Sequence, residues 1–267
     1  MAIRRQGFTL DSCLSMPSVD NPSFFALLSD IHGNIDALDA VLDDVARHPC
    51  CGILCLGDVV GYGPEPARCV QRLMETCVVS VLGNHEAMLF LIGQLSADEL
   101  GDTIGKPLEL AARQLSPAQQ QWLRARPITA DLDPLTLSHA SLFEPSAFHY
   151  IHSPEEARPH FAVQSTAISF HGHTHVPVIW ETGNKGISCY RPLENPVQLD
   201  ASNRYAINVG SVGQPRDGDP RAAYALYDFE NRLLLHRRVD YDIPQAQARF
   251  KDAGLPARNA LRLKKGR

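Results

Sequence analysis

The chain has 267 residues, 44% of them hydrophobic, a formal charge of −5 and a sequence pI near 6.1. That length and apolar content are enough to bury a sizeable core. The acidic balance excludes the broad basic surface of a protein that grips long nucleic acid, while a small anionic partner stays compatible with it. Seven cysteines, at 13, 50, 51, 55, 69, 77 and 189, form an odd, irregular set and read as reduced thiols of a cytoplasmic protein. Cys50, Cys51 and Cys55 do not read as a zinc site, because residues 52–56 look like a buried strand.

In chain order, residues 1–23 carry Arg4, Arg5 and Asp11 without an apolar run fit for a secretory segment, and are expected to be a disordered extension. No stretch approaches membrane-spanning length. Phe24 to Leu28 is an apolar run that stops at Ser29-Asp30, after which Ile35, Leu38, Leu42 and Val45 recur at helical spacing. The strand, loop, helix pattern repeats at Gly52 to Leu56, with a Gly-rich loop at 57–64, and again at Val78 to Leu82, followed by Gly83-Asn84-His85-Glu86. Each loop sits at the C-terminal end of a strand, where open parallel sheets place their ligands.

From 87 to 126 the residues favour helix, and Ser116-Pro117-Ala118-Gln119 has the signature of a helix start. This stretch is expected to be a helical insertion able to form a lid over the loops. Strand-prone runs follow at 135–137, 167–170, 176–180, 205–209, 223–229 and 233–239. The order predicts an α/β domain over 24–240 in which two sheets pack face to face with helices outside. Residues 241–267, with five cations between Arg258 and Arg267, are expected to be a solvated tail.

Five short segments end apolar runs with residues able to bind a hard or borderline cation: Asp30-Ile31-His32, Gly57-Asp58-Val59-Val60-Gly61, Gly83-Asn84-His85-Glu86, Ser138-His139-Ala140 and Gly172-His173-Thr174-His175. On extended backbone, alternate residues point the same way, so Asp30 with His32, and His173 with His175, are each expected to face one place. Singly these segments are common. Five of them in order, each after a strand, point to a metal site.

In this order the segments resemble the calcineurin-like metallophosphoesterase superfamily, whose blocks are D-x-H, G-D-x-x-G, G-N-H-[DE], a single H, and G-H-x-H. The wording around Ser29 to Asn34, Gly57 to Pro64 and Asn208 to Asp217 further resembles its bacterial YfcE-like, or diadenosine tetraphosphatase-like, branch. The resemblance implies a four-layer α/β/β/α sandwich of two mixed β-sheets flanked by helices. It implies that Asp30, His32 and His175 bind one divalent metal, that Asn84, His139 and His173 bind a second, and that Asp58 bridges them. Such mixed nitrogen and oxygen ligands suit Mn, Fe, Ni or Zn. The implied activity is hydrolysis of a small phosphodiester or phosphomonoester by a metal-bridging hydroxide, with His85 as general acid.

Asn34, Tyr62 and Arg216 are expected to contact substrate, Arg216 by clamping a phosphate oxygen. His171 reads as a support for the ligands rather than one of them, and His149, His152 and His160 as ordinary surface or helix-end histidines. Eukaryotic-type Ser/Thr phosphatases carry an arginine in the second block, where this chain has Gly61-Tyr62-Gly63. That departure argues against a close phosphoprotein phosphatase. A dinucleotide of the diadenosine tetraphosphate type is the specific substrate the branch suggests, and a non-catalytic scaffold is the competing class. The expected partner is thus a small phosphorylated molecule, with no long nucleic acid and no membrane, and a homo-oligomer is left open.

Overall fold

Alternation along the first strand sets the layering of the molecule. In β1 (Phe24–Leu28), Phe25 and Leu27 enter one apolar cluster while Ala26 and Leu28 enter another, as a pleat with period two requires. The computed structural model describes residues 24–92, 94, 100–192 and 194–267; the expectation for residues 1–23 lies outside them. After β1 come α1 (Ile35–Val45), β2 (Cys50–Cys55), α2 (Pro66–Thr76), β3 (Cys77–Ser80), α3 (Asn84–Leu89), α4 (Asp102–Gln114) and α5 (Pro117–Arg124). The second half contributes β4 (Thr129–Asp131), β5 (Leu135–Ser138), α6 (Pro154–Val163), β6 (Ile168–His171), β7 (Val178–Gly183) and β8 (Gly186–Tyr190). It ends with β9 (Val197–Gln198), β10 (Arg204–Asn208), β11 (Ala222–Asp228), β12 (Leu233–Val239), α7 (Ile243–Asp252) and α8 (Ala257–Lys265).

The strands form two six-stranded sheets, ordered β3-β2-β1-β11-β12-β9 and β4-β5-β6-β10-β7-β8. Both are mixed. β1, β2 and β3 run parallel while β11 pairs antiparallel with β1; β5, β6 and β10 run parallel while β7 pairs antiparallel with β10. Between the sheets lies a layer built from both, including Phe25, Leu27, Leu54, Leu137, Phe170, Ile207 and Tyr227. The other face of the first sheet packs on α1, α2, α4 and α5 through Leu38, Val41, Val70, Leu73, Leu108 and Leu123, and the outer face of the second packs Trp180 and Ala206 on Phe161 of α6. The expected four-layer α/β/β/α sandwich is therefore the observed one. Its consequence for function is that the C-terminal ends of parallel strands from both sheets reach the same rim.

Helix boundaries follow local chemistry. The Ser116 hydroxyl accepts from Gln119 N–H at 3.3 Å while the Gln119 side chain accepts from Ser116 N–H at 2.9 Å, the reciprocal box the sequence announced. Leu108, Ala111 and Leu123 are buried in the core cluster, so α4 and α5 belong to the outer helical layer.

Residues 241–267 also correct the sequence reading. They form α7 and α8, which bury Ala246, Phe250, Leu255 and Leu263 against one another and against Leu110. Asp242 caps α7, and Gln245 and Arg249 of that helix bond Asp36 of α1 at 2.6 and 3.0 Å. The cations of this segment drew attention away from its apolar stripe, which is sparse but regular. Among the described residues no helix is long and apolar enough to cross a membrane, and no cysteine is in a disulfide.

Candidate metal centre

Loops leaving the strand ends are knitted to each other by backbone hydrogen bonds. Ile31 and His32 N–H donate to Asp58 O at 2.8 and 2.9 Å, Gly172 N–H to His139 O at 2.9 Å, and Gly213 N–H to Asp30 O at 2.9 Å. Segments far apart in the chain are thus brought together before any side chain is considered. Asp30, His32, Asp58, His173 and His175 all hold positive φ, between 48° and 67°. Non-glycine residues in this region cost about 1–3 kcal/mol each and persist where the surroundings over-determine them. The expectation of alternate residues on extended backbone is therefore corrected: left-handed turns aim these side chains, and they send His173 and His175 to different partners.

Two clusters result, and both are buried. In the first, His32 Nε2 lies 3.2 Å from His175 Nε2, and Asp30 Oδ1 lies 3.2 Å from His175 Nε2 and 3.8 Å from His32 Nε2. In the second, His139 Nε2 lies 3.1 Å from Asn84 Oδ1 and 3.2 Å from His173 Nδ1. Asp58 Oδ2 stands between them, 3.3 Å from His139 Nε2 and 3.7 Å from His32 Nε2. The seven side chains singled out as ligands converge at one place.

The tautomers follow from the remaining ring nitrogens. Nδ1 of His32, His139 and His175 each faces a backbone carbonyl, of Val60 at 2.9 Å, Leu56 at 2.8 Å and Gln214 at 2.6 Å. A carbonyl only accepts, so each Nδ1 carries a proton; the Nε2 atoms of His32 and His175 then present lone pairs to the cluster, while His139 Nε2 faces the Asp58 carboxylate. Lone pairs of His32 and His175 then face each other beside Asp30 Oδ1, a buried oxygen with no hydrogen-bond partner. Neutral acceptors packed this way repel unless a cation lies among them, and carbonyl-oriented histidines of this kind support metal binding. The donor set fits a divalent metal.

Charge within the cluster is divided unevenly. Burial pushes the Asp30 carboxyl up, but the His175 imidazole and then His139 hold it well below the usual carboxylate range. Asp58 is likewise pulled well below that range against its burial, chiefly by His139 and His85. Burial draws His139 down, and the Asp58 carboxylate overrides it and lifts the imidazole to about 9. His173 is lowered to about 3, first by burial and then by the His139 charge.

His85 has its backbone N–H on Asp58 Oδ1 at 2.8 Å, its ring 4.7 Å from His32, and its buried Nδ1 without a partner. Burial lowers its imidazole to about 4 while Asp58 opposes that shift. Gly61, at φ +86°, has no room for a side chain because a Cβ there would meet the His85 ring. Tyr62 packs its ring 4.6 Å from both His32 and His85, and the Arg216 guanidinium lies 5.5 Å from the Tyr62 ring centroid.

Asn34 does not join this group. Its Oδ1 caps α1 by accepting from Ala37 N–H, and its Nδ2 donates to Gly213 O at 2.9 Å and Tyr241 OH at 3.3 Å, so its polar atoms are committed to holding loops together. His160 is a helix-end histidine, in the last turn of α6, but not a surface one. It is fully buried, accepting from Leu142 N–H at 3.0 Å with Nε2 2.8 Å from Ser169 Oγ. His171 stays outside both clusters, with Nδ1 3.3 Å from Asn208 Nδ2.

Two residues that hold the centre in shape escaped the sequence reading. Glu86 accepts from Asp58, Val59, Val60 and Gly83 N–H at 2.7–3.0 Å, so one buried carboxylate clamps the whole Asp58 loop. Its position after Gly83-Asn84-His85 was the available signal. Asn208 donates to Gly172 O and Thr174 Oγ1 and accepts from Gly210 N–H, pinning the His173 to His175 turn. Nothing local in the sequence marks that role.

A two-sheet sandwich that gathers Asp, Asn and His donors where the strand ends of both sheets meet is the architecture of a hydrolytic phosphoesterase. The chain belongs to the calcineurin-like phosphoesterase superfamily, whose domain matches residues 24–232. It is similar to the uncharacterized protein MJ0912 of Methanocaldococcus jannaschii, at 32% identity over 250 residues, covering 92% of this chain and 99% of that protein. The crystal structure of a metallophosphoesterase from Sphaerobacter thermophilus superposes with a TM-score of 0.81 at 35% identity, over 92% of this chain and 100% of that one. Phosphodiesterase YfcE of Escherichia coli K12 is 25% identical over 210 residues, 75% of this chain and 84% of that protein, in line with the branch read from the motifs.

Proposed function

We propose that this phosphoesterase works with two divalent cations, one held by Asp30, His32 and His175, the other by Asn84, His139 and His173, with Asp58 shared, and that it hydrolyses a small phosphodiester or phosphomonoester. The observation that carries the reading is the convergence of carbonyl-anchored imidazoles, with the Nε2 atoms of His32 and His175 facing each other beside Asp30 and that of His139 facing Asp58 and Asn84. Cations held there would neutralise phosphate oxygens and make a water acidic enough to attack at neutral pH. Mixed nitrogen and oxygen donors favour Mn, Fe, Ni or Zn over Mg or Ca.

The protein's own groups supply the rest. His85 lies beside the cluster, its ring 4.7 Å from His32, and in this reading it gives the leaving oxygen its proton. Arg216, whose N–H donates to His175 O at 3.2 Å and whose buried Nε has no partner, binds a phosphate oxygen as the reaction proceeds. Similarity to a phosphodiesterase supports a diester as the preferred ester.

A pair of substrates tests the role of His85. With Mn-loaded protein, His85→Ala is expected to lower turnover of a methyl phosphodiester by about 10²- to 10⁴-fold, while a p-nitrophenyl ester, whose leaving group needs no proton, loses less than about tenfold. Equal losses on both would refute the general-acid assignment.

A further inference from the structure

Of the four histidines proposed as ligands, His32, His139 and His175 are each anchored through Nδ1 to a backbone carbonyl, and His173 is not. Its own Nδ1 faces His139 Nε2 at 3.2 Å, and among the described residues its ring has no hydrogen bond to a carbonyl or a carboxylate. The His173 backbone N–H donates to Asp30 Oδ2 at 3.0 Å, which fixes the turn but leaves the side-chain torsions free. What lies against the ring is Tyr150, stacked with 4.0 Å between centroids and 22° between planes.

Tyr150 belongs to the segment between β5 and α6, and its neighbours explain how it is held there. Ile151 is buried with Ala157, Phe161 and Trp180. Leu142 N–H donates to His160 Nδ1 at 3.0 Å, and Ser141 N–H donates to His149 O at 3.2 Å. The segment is thus pinned before and after its excursion over the second cluster. Phe148, on the same excursion, meets the His139 ring edge-on at 6.0 Å, so one loop turns an aromatic side chain toward each histidine of that cluster. Core packing does not account for Tyr150. Its side chain is exposed, at 48%, and among the described residues its hydroxyl has no hydrogen-bond partner. His152 stacks on it in turn at 5.2 Å. A flat face laid on an imidazole restricts the turning of that ring, and an imidazole that donates to a cation becomes electron-poor, which strengthens its attraction to the electron-rich tyrosine face.

We propose that Tyr150 is a positioning residue for the second cation site: its ring braces His173, taking the part that backbone carbonyls play for His32, His139 and His175, and it thereby sets the affinity of that site while leaving the first alone. This deepens the two-cation reading above and rests on it. Tyr150 acts through its face in this account, and its hydroxyl is dispensable.

Metal uptake, rather than turnover, reads the effect. The full chain, stripped of metal, is titrated with Mn in a calorimeter, and wild type is expected to take up two ions. Tyr150→Ala should weaken one binding step by about 10-fold and leave the other within about twofold. Its metal-free melting temperature should stay within a few degrees of wild type, because the side chain is half exposed. Tyr150→Phe keeps the flat face and should bind like wild type, whereas Tyr150→Leu, apolar without that face, should behave like Tyr150→Ala. In a His173→Ala background Tyr150→Ala should add nothing, since the ring it braces is gone. Unchanged affinities in Tyr150→Ala, equal weakening of both steps, a Tyr150→Leu protein as good as Tyr150→Phe, or a large fall in metal-free melting temperature would overturn the brace. A wild type that takes up fewer than two ions would instead refute the two-cation reading on which it rests.

Discussion

Asp58→Asn is expected to cut Mn-dependent turnover by about 10³-fold or more and to lower the bound metal from two ions per chain toward one or none. Asp58 is the carboxylate between the two clusters, 3.3 Å from His139 Nε2 and 3.7 Å from His32 Nε2. The amide keeps an oxygen for His85 N–H, which Asp58 Oδ1 accepts at 2.8 Å. The backbone carbonyl that receives Ile31 and His32 is untouched by the change. The metal-free variant should therefore melt within a few degrees of metal-free wild type, and the loss will be one of metal bridging rather than of fold. Metal content by mass spectrometry and melting curves with and without Mn check both halves. A variant that retains two ions per chain would show that Asp58 is not the shared ligand.

Glu86→Ala should be more damaging to structure than any single ligand change, although Glu86 binds no metal in this account. Its carboxylate oxygens receive four backbone N–H groups, and deletion leaves four buried donors without acceptors. Each unsatisfied buried donor costs about 1–3 kcal/mol before water enters, so a loss of several kcal/mol is expected. Glu86→Gln keeps the shape but turns an NH₂ toward backbone donors, and should fall between Ala and wild type. Denaturant unfolding of the three proteins gives the ranking. A Glu86→Ala protein as stable as wild type would contradict the clamp assigned to this side chain.

How much of this was legible in the sequence depends on how local each signal is. The five motifs are contiguous, and each ends an apolar run, so their residues and their place at strand ends could be read directly. Pairing the strands into two sheets followed from strand-helix alternation giving way to serial strands. What could not be read was the backbone. Carbonyls of Leu56, Val60 and Gln214 orient three imidazoles through Nδ1, yet a carbonyl carries no residue signature. The left-handed turns at Asp30, His32, His173 and His175 replace the extended geometry expected there, and only the neighbouring glycines hinted at them. Asn34 sits in a motif loop but serves as a helix cap and strut, a distinction that depends on Gly213 and Tyr241 being close in space. The last 27 residues were misread because cations are conspicuous, whereas Phe250, Leu255 and Leu263 meet only once two helices fold back on the domain.

The central claim is that Asp30, His32, Asp58, Asn84, His139, His173 and His175 hold two cations. Crystals grown with Mn and measured at a wavelength where Mn scatters anomalously test it most directly. The account predicts two anomalous peaks per chain, roughly 3.5–4 Å apart, one beside His32 and His175 and the other beside His139 and His173, with Asp58 touching both. A single peak, or ordered metal only at other positions on the surface, would contradict it.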